Sequence, residues 1–138
     1  MVDAAVRELG AAECWALLAE APYGRLALSV GDDVDILPIN VVVHDGALYF
    51  RTAPGTKLAE LAVNPRVAFE VDGFDDATAF SVVAKGVAER LERQADVDAA
   101  ERLPLTPWIP TLKYRWVRIR PTEVTGRSFD RGPEPDRD

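Results

Sequence analysis

The stretch YFRTAPGTKLAEL, residues 49–61, begins with the pattern of a buried strand and ends with that of an amphipathic helix. Between the two patterns lie two cations, two hydroxyls and a glycine, namely Arg51, Lys57, Thr52, Thr56 and Gly55. A helix N-terminus presents unpaired N–H groups and about half a positive charge, which together favour a bound phosphate. We expect Thr56 to be the N-cap and Gly55 to permit close backbone approach. The junction therefore predicts an anion site, with the other three residues as donors.

The same residues also allow a purely structural interpretation. Thr56 would then only cap the helix, and Lys57 would form an ion pair with Glu60 three residues later. Arg51 would lie on a solvent-exposed face of the sheet. The spacing by itself does not exclude this alternative, because it lacks the fixed glycine pattern of a P-loop.

Before the junction, Asp45-Gly46 predicts a two-residue β-hairpin, because a type I′ turn needs positive φ at both central residues. Counting outward from that turn gives three cross-strand pairs: His44 with Ala47, Val42 with Tyr49, and Asn40 with Arg51. The face opposite Arg51 carries the more apolar set and is the expected core: Ile39, Val41, Val43, Leu48, Phe50 and Thr52. His44 is thus interpreted as a turn residue.

The rest of the chain has the patterns of short strands joined mostly by hairpins, with two or three short helices. Six strands are predicted, over 24–30, 35–43, 47–52, 66–72, 78–92 and 113–125. Helices are predicted over 11–20, 56–64 and 95–103, and Gly86 is expected to mark a β-bulge. A small antiparallel barrel fits this order better than a parallel α/β sheet. We expect a single domain over 1–130 and a frayed polar tail over 131–138.

Composition and charge exclude several classes of function. The net charge of −7 disfavours binding to nucleic acid or to an anionic membrane. The basic stretch 113–120, KYRWVRIR, alternates like a half-buried strand, with Val117 and Ile119 on one face. One cysteine and one histidine cannot build a Cys/His metal site, and Cys14 is expected to be a small core residue. No apolar run is long enough to span a bilayer and no signal-peptide pattern is present, so we expect a cytoplasmic protein.

Five segments in this order resemble the FMN-binding split-barrel proteins related to pyridoxamine 5′-phosphate oxidase, over about residues 9–126. They are GRLALSV, PIN, DGALYFRTAPGTKLAEL, NPRVAFEVD and FSVVAKGVAERLE. The likeness is greatest to the small nitroimidazole-resistance flavoproteins. It implies a mainly β fold, a six-stranded antiparallel split β-barrel, and a homodimer with FMN at the subunit interface.

The resemblance also implies roles for particular residues. In that family a basic residue eight or seven positions before an Asn-Pro pair holds the FMN phosphate, and Lys57 matches it at seven. Thr56 stands where the true oxidases usually carry Arg. Arg51 and Thr52 match phosphate-binding positions at the end of the preceding strand. Asn40 and Ser81 are expected nearer the ribityl chain or the ring. Arg25 resembles an arginine on the first strand of the family.

These expectations together indicate an FMN-dependent oxidoreductase that transfers a hydride through flavin N5 to an unknown small acceptor. True pyridoxamine phosphate oxidation is not expected, because the C-terminal stretch TGRSFDRGPEPD lacks the histidine of those enzymes. Two alternatives stay open. One is a deazaflavin F420-dependent oxidoreductase of the same fold. The other is a non-enzymatic module that binds a flavin or a haem, in which Trp108 would be an interface anchor.

Overall fold

The computed structural model describes residues 6–107 and 115–137. Eight strands lie in these ranges: β1 (Val6–Glu8), β2 (Tyr23–Val30), β3 (Asp33–Asn40), β4 (Val42–His44), β5 (Ala47–Thr52), β6 (Arg66–Phe74), β7 (Thr78–Arg90) and β8 (Arg115–Asp130). The same ranges contain three helices: α1 (Ala11–Glu20), α2 (Thr56–Val63) and α3 (Gln94–Glu101). None of these helices is long and apolar enough to cross a membrane. Trp108 lies outside the described residues.

The strands form one antiparallel sheet in the order β3-β2-β6-β7-β8-β5-β4, and β1 pairs with β8. β3 and β4 lie at opposite ends of this order, yet Val41 alone separates them in the chain. The sheet must therefore curl until its two ends meet. The result is an incomplete barrel, which confirms the mainly β, antiparallel split-barrel prediction.

The predicted count of six strands is wrong for two reasons. β1 was not predicted, because a three-residue strand is too short for a recognisable alternation of apolar and polar residues. The predicted strand over 35–43 is two strands, since Val41 leaves the ladder and its N–H donates to the Pro22 carbonyl at 3.4 Å. β8 also continues to Asp130, five residues past the predicted end. The helix predicted over 11–20 is confirmed at both ends.

The hairpin between β4 and β5 is confirmed close to its turn. His44 pairs with Ala47 and Val42 with Tyr49. The predicted third pair, Asn40 with Arg51, is wrong. Asn40 pairs instead with Tyr23 of β2, because the interruption at Val41 ends the hairpin ladder one pair earlier.

Apolar side chains are buried on both faces of β5. The inner face belongs to the main core, whose largest fully buried side chains include Phe50, Phe69, Leu26, Leu48, Ile119 and the Leu18 side chain of α1. The outer face carries a second cluster, formed by Ala47, Tyr49, Trp116, Leu91 and Ala100 of α3. Cys14 is fully buried as predicted, and this burial raises the pKa of its thiol. α3 therefore covers the face that carries Arg51.

The β7–β8 ladder shifts register between Lys85 and Gly86, which confirms the predicted bulge. A Cβ atom at Gly86 would overlap the backbone of Arg120 and Pro121. We expect Gly86→Ala to lower the free energy of unfolding by about 1–3 kcal/mol through this overlap. Urea denaturation measures the change. Gly132→Ala is the control, because none of the residues that the structure describes lies within 4 Å of a Cβ there. Equal stability of the two variants would contradict the close approach.

Candidate functional site

The junction between β5 and α2 is an exposed turn that ends in a glycine. Gly55 is the N-cap of α2, with φ 156° and ψ −158°, a backbone conformation that is essentially restricted to glycine. The prediction that Thr56 is the N-cap is wrong, because this glycine conformation starts the helix one residue earlier. Thr56 is instead the first helical residue, and no described side chain caps the helix. Among the described residues, nothing lies within 4 Å of a Cβ built on Gly55, so the space beside this backbone position is open.

Arg51 lies one residue before the end of β5, directly opposite Trp116 of β8. Its guanidinium carbon is 5.4 Å from the centroid of the Trp116 ring, which is the geometry of a cation–π contact. The Nε atom of Arg51 is buried and has no hydrogen-bond partner among the described residues. A buried donor without an acceptor costs about 1–3 kcal/mol, so this atom is suited to an acceptor from a ligand.

Trp116 gives Arg51 a rigid neighbour. Its side chain is 2% exposed, and its Nε1–H donates to a carboxylate oxygen of Glu101 at 2.8 Å. Glu101 is the last residue of α3, so the helix fixes the ring against the sheet. No local sequence pattern connects Trp116 with the site. The alternation of residues 113–120 places Trp116 on one face of a strand, but the partner strand β5 is distant in the chain and leaves no local signal.

The other predicted phosphate residues differ in how they are placed. The Thr52 side chain is buried on the opposite face of β5 from Arg51, and its hydroxyl donates to the Ala53 carbonyl at 3.3 Å. Lys57 is half-buried in the first turn of α2. Chain continuity brings both residues to the same junction as Gly55. The hydroxyl hydrogen of Thr52 is already used, so only its oxygen lone pairs are available to a ligand.

Asn40 lies at the end of β3, away from the position predicted for it beside Arg51. It is half-buried, and its side-chain amide donates to the Pro22 carbonyl at 3.3 Å. This bond ties the end of β3 to the start of β2. The fold thus places Asn40 on the other side of the Val41 interruption from the hairpin that carries Arg51.

Arg25 and Ser81 share the outer face of the sheet, with two carboxylates between them. Arg25 Nη1 donates to Glu70 Oε1 and to Asp72 Oδ2, both at 2.9 Å. Ser81 lies directly opposite Asp72 on one side and Arg127 on the other. Arg25 therefore already has two anionic partners, whereas Ser81 borders a cavity of about 510 Å³ that Lys85 and Arg127 also line.

A scan against protein families matches residues 10–128 to the family described as pyridoxamine 5′-phosphate oxidase. The chain belongs to this family. The matched range contains every predicted cofactor-binding residue, from Arg25 to Ser81.

Two proteins of known structure and one sequence relative are similar to this chain over most of its length. An FAD-binding protein from Mycobacterium smegmatis is 41% identical, with a TM-score of 0.78 over 89% of this chain and 98% of its own. An FAD-binding protein from Mesorhizobium loti is 27% identical, also with a TM-score of 0.78, over 89% and 97%. An uncharacterised Mycobacterium tuberculosis protein is 46% identical over 96 residues, which are 70% of this chain and 87% of that protein.

The pKa of Glu70, which lies beside Asp72, is raised above its ordinary value. Burial raises the pKa of Glu70, and the hydrogen bond and negative charge of Asp72 raise it further, whereas Arg25 lowers it. Because the folded-state pKa lies above the ordinary value, the contribution of Glu70 to stability increases as the pH falls through that pKa. We expect Asp72→Asn to lower the pKa of Glu70 and Arg25→Met to raise it, measured by ¹³C NMR of the side-chain carboxyl. Shifts of the opposite sign would contradict the arrangement.

Proposed function

We propose that this protein is a flavoprotein that holds the ribityl phosphate of FMN at the β5–α2 junction and acts as an oxidoreductase. The observation that supports this most directly is the buried Nε–H of Arg51, which has no acceptor among the described residues. A phosphate oxygen is a strong acceptor for a guanidinium N–H, because the hydrogen bond is charge-assisted.

The rest of the junction fits an anionic group. α2 begins without a side-chain cap, so its leading N–H groups and its dipole favour negative charge there. The space beside the Gly55 backbone is open, and Lys57 in the first turn adds a cation. We assign phosphate binding to Arg51, Thr52, Gly55, Thr56 and Lys57. In this assignment Thr52 contributes its oxygen or its backbone, and Thr56 contributes its exposed hydroxyl.

Family relatives support a flavin in particular. The Mycobacterium smegmatis protein, at 41% identity, binds FAD, and the ribityl phosphate is common to FMN and FAD. We assign Asn40 and Ser81 to the ribityl chain or the ring. Arg25 is assigned to the ring side through guanidinium donors other than Nη1, which binds the two carboxylates. The bound flavin supplies the hydride-transfer chemistry, while the chain orients the cofactor and excludes water.

The outer face of the sheet supports a homodimer with the cofactor at the interface. Its exposed apolar side chains include Val34 at 72%, Ile36 at 68% and Val87 at 41%. Val34 and Val87 line a shallow cavity of about 500 Å³ on that face. A second copy of the chain would remove this apolar surface from water, which favours association.

Arg51→Met should weaken FMN binding while leaving the cofactor-free protein folded and stable. The loss of one charge-assisted hydrogen bond costs about 1.5–3 kcal/mol of binding free energy. The unfolding free energy of the apoprotein should change by less than about 1 kcal/mol, because the lost cation–π contact is offset by removal of an unsatisfied donor. Titration calorimetry and thermal denaturation measure the two effects. Arg102→Met, at the exposed end of α3, is the control. If Arg51→Met binds FMN with wild-type affinity, Arg51 does not bind the phosphate.

Val34→Lys should weaken self-association at least about tenfold, since a lysine there would be desolvated in the interface. Val63→Lys is the matched control: Val63 is equally exposed, at 72%, but lies on α2 rather than on the outer face. Sedimentation velocity over a concentration series measures both variants. A monomeric wild type, or equal weakening by the two substitutions, is inconsistent with this interface.

Oxidoreductase activity is tested by mixing the FMN-loaded protein with NADH or NADPH without oxygen in a stopped-flow instrument. We expect the blue absorption band of the oxidised flavin to bleach, followed by its return when an acceptor is added. Tight flavin binding without reduction by either donor would indicate a binding module and would contradict the proposed oxidoreductase activity. The spectrum of the purified protein also separates the flavin from F420, which absorbs at shorter wavelength.

A further inference from the structure

The side chain of Asn64 joins the C-terminal end of α2 to two strands of the sheet. Its Nδ2 donates to the Ser29 carbonyl of β2 at 2.8 Å and to the Ser29 hydroxyl at 3.3 Å. Its Oδ1 accepts the N–H of Arg66, the first residue of β6, at 3.2 Å. The backbone N–H of Asn64 donates to the Glu60 carbonyl at 2.9 Å and closes the last turn of the helix. Both ends of one amide are therefore used to attach the helix to its neighbours.

A third strand is attached through the next residue in the chain. The Ala88 N–H of β7 donates to the Pro65 carbonyl at 2.8 Å. β2, β6 and β7 are consecutive in the sheet, so this end of α2 is bonded to three adjacent strands. Leu61 of α2 lies in the main core, and Leu58 packs against that core. The C-terminal end of α2 therefore cannot shift without breaking its bonds to the sheet.

The proposed phosphate site lies at the opposite end of the same helix. Gly55 begins α2 without a cap from a described side chain, and Thr56 is exposed. The eight residues of α2 span about 12 Å as a rigid rod, so the attachments at one end determine where the N–H groups at the other end point. Arg51 is positioned separately, by the Trp116 ring. The two halves of the proposed site thus depend on different contacts.

The chemistry of the side chain at position 64 is specific. The Ser29 carbonyl can only accept a hydrogen bond and the Arg66 N–H can only donate one, so one short side chain must supply both a donor and an acceptor. An aspartate would keep the bond to Arg66 but would place a negative oxygen against the Ser29 carbonyl. A leucine has nearly the same shape as asparagine and forms neither bond. The amide can therefore be removed with little change in volume.

We propose that Asn64 is a positioning residue for the cofactor phosphate, an inference that rests on the function proposed above. Asn64 does not contact the cofactor in this assignment. It holds α2 so that the leading N–H groups of the helix and Lys57 face the same phosphate as Arg51. Without the amide, the first turn of α2 moves relative to Arg51. The phosphate then loses part of its contacts, while the ribityl chain and the ring keep theirs.

The test compares FMN with riboflavin, which lacks the phosphate but has the same ribityl chain and ring. Both flavins are titrated into the full-length apoprotein by calorimetry. Wild-type protein should bind FMN more tightly than riboflavin. Asn64→Leu should lose at least about fivefold in FMN affinity, the size of effect expected when a helix N-terminus is no longer aligned with an anion, and less than about twofold in riboflavin affinity.

Leu18→Ala is the control for a loss of stability alone, because Leu18 is a buried core residue of α1. Its melting temperature should fall through loss of core packing, yet the ratio of its FMN and riboflavin affinities should stay at the wild-type value. If Asn64→Leu does not fold, Asn64→Asp replaces it. That variant keeps the acceptor for the Arg66 N–H, loses the donation to Ser29 and should show the same selective loss of FMN affinity.

The outcomes separate this inference from the function on which it depends. An unchanged FMN affinity in Asn64→Leu, or an equal loss of FMN and riboflavin affinity, overturns the positioning role and leaves the flavoprotein intact. If wild-type protein binds FMN and riboflavin equally well, the phosphate site at the β5–α2 junction fails, and the role of Asn64 fails with it. If wild-type protein binds neither flavin, the proposed function itself fails.

Discussion

The antiparallel pairing of β5 with β8 is the constraint on which the rest of the structure depends. Five residue pairs, from Leu48 with Ile119 to Thr52 with Arg115, join strands that are about 65 residues apart in the chain. This pairing places Leu48 and Phe50 in the main core and turns Tyr49 and Arg51 toward α3. It also brings Trp116 under the Arg51 guanidinium. Without the β5–β8 pairing, the Arg51 guanidinium would lie on an exposed sheet face, as the purely structural interpretation of the sequence predicts.

The contrast between Arg51 and other outer-face arginines explains why a local anion site can exist in an acidic protein. Arg118 and Arg120 both donate through Nε to the same oxygen of Glu89, at 2.8 and 2.9 Å, and these bonds lower the pKa of that carboxyl. Arg25 donates through Nη1 to two carboxylates, those of Glu70 and Asp72. Arg51 instead faces an aromatic ring, which holds its position without neutralising its charge. Its positive potential is therefore available to a ligand.

The position of α3 links the outer apolar cluster, the Arg51 cation and a small cavity beside the first turn of the helix. The helix buries Ala100 against the outer face of β5, and Glu101 at its end accepts the Trp116 N–H. At its other end, the first turn lies beside Arg90 and Arg115. One short helix thus covers an apolar cluster, orients the ring that carries Arg51, and forms a wall of the neighbouring cavity. The arrangement concentrates cationic and aromatic groups at one end of the curled sheet.

The amino-acid sequence by itself determined the features that depend on neighbouring residues. The Asp45-Gly46 turn, the alternation that separates Phe50 from Arg51, the helix over 11–20 and the bulge at Gly86 all have local causes, and each could be predicted. The cluster of donors around the start of α2 is likewise contiguous in the chain. The resemblance of the whole chain to a known family extended these predictions to a fold and a cofactor class.

Tertiary structure alone decided the features that depend on distant segments. The pairing of Asn40 with Tyr23 instead of Arg51 follows from closure of the barrel at Val41, which no local pattern encodes. The Trp116 ring reaches Arg51 only because β5 and β8 pair. Two carboxylates reach Arg25 only because β2 and β6 are neighbours. Side-chain periodicity specifies which face of a strand is apolar, but the loop-closure entropy and packing of the whole chain select the strand that lies next to it.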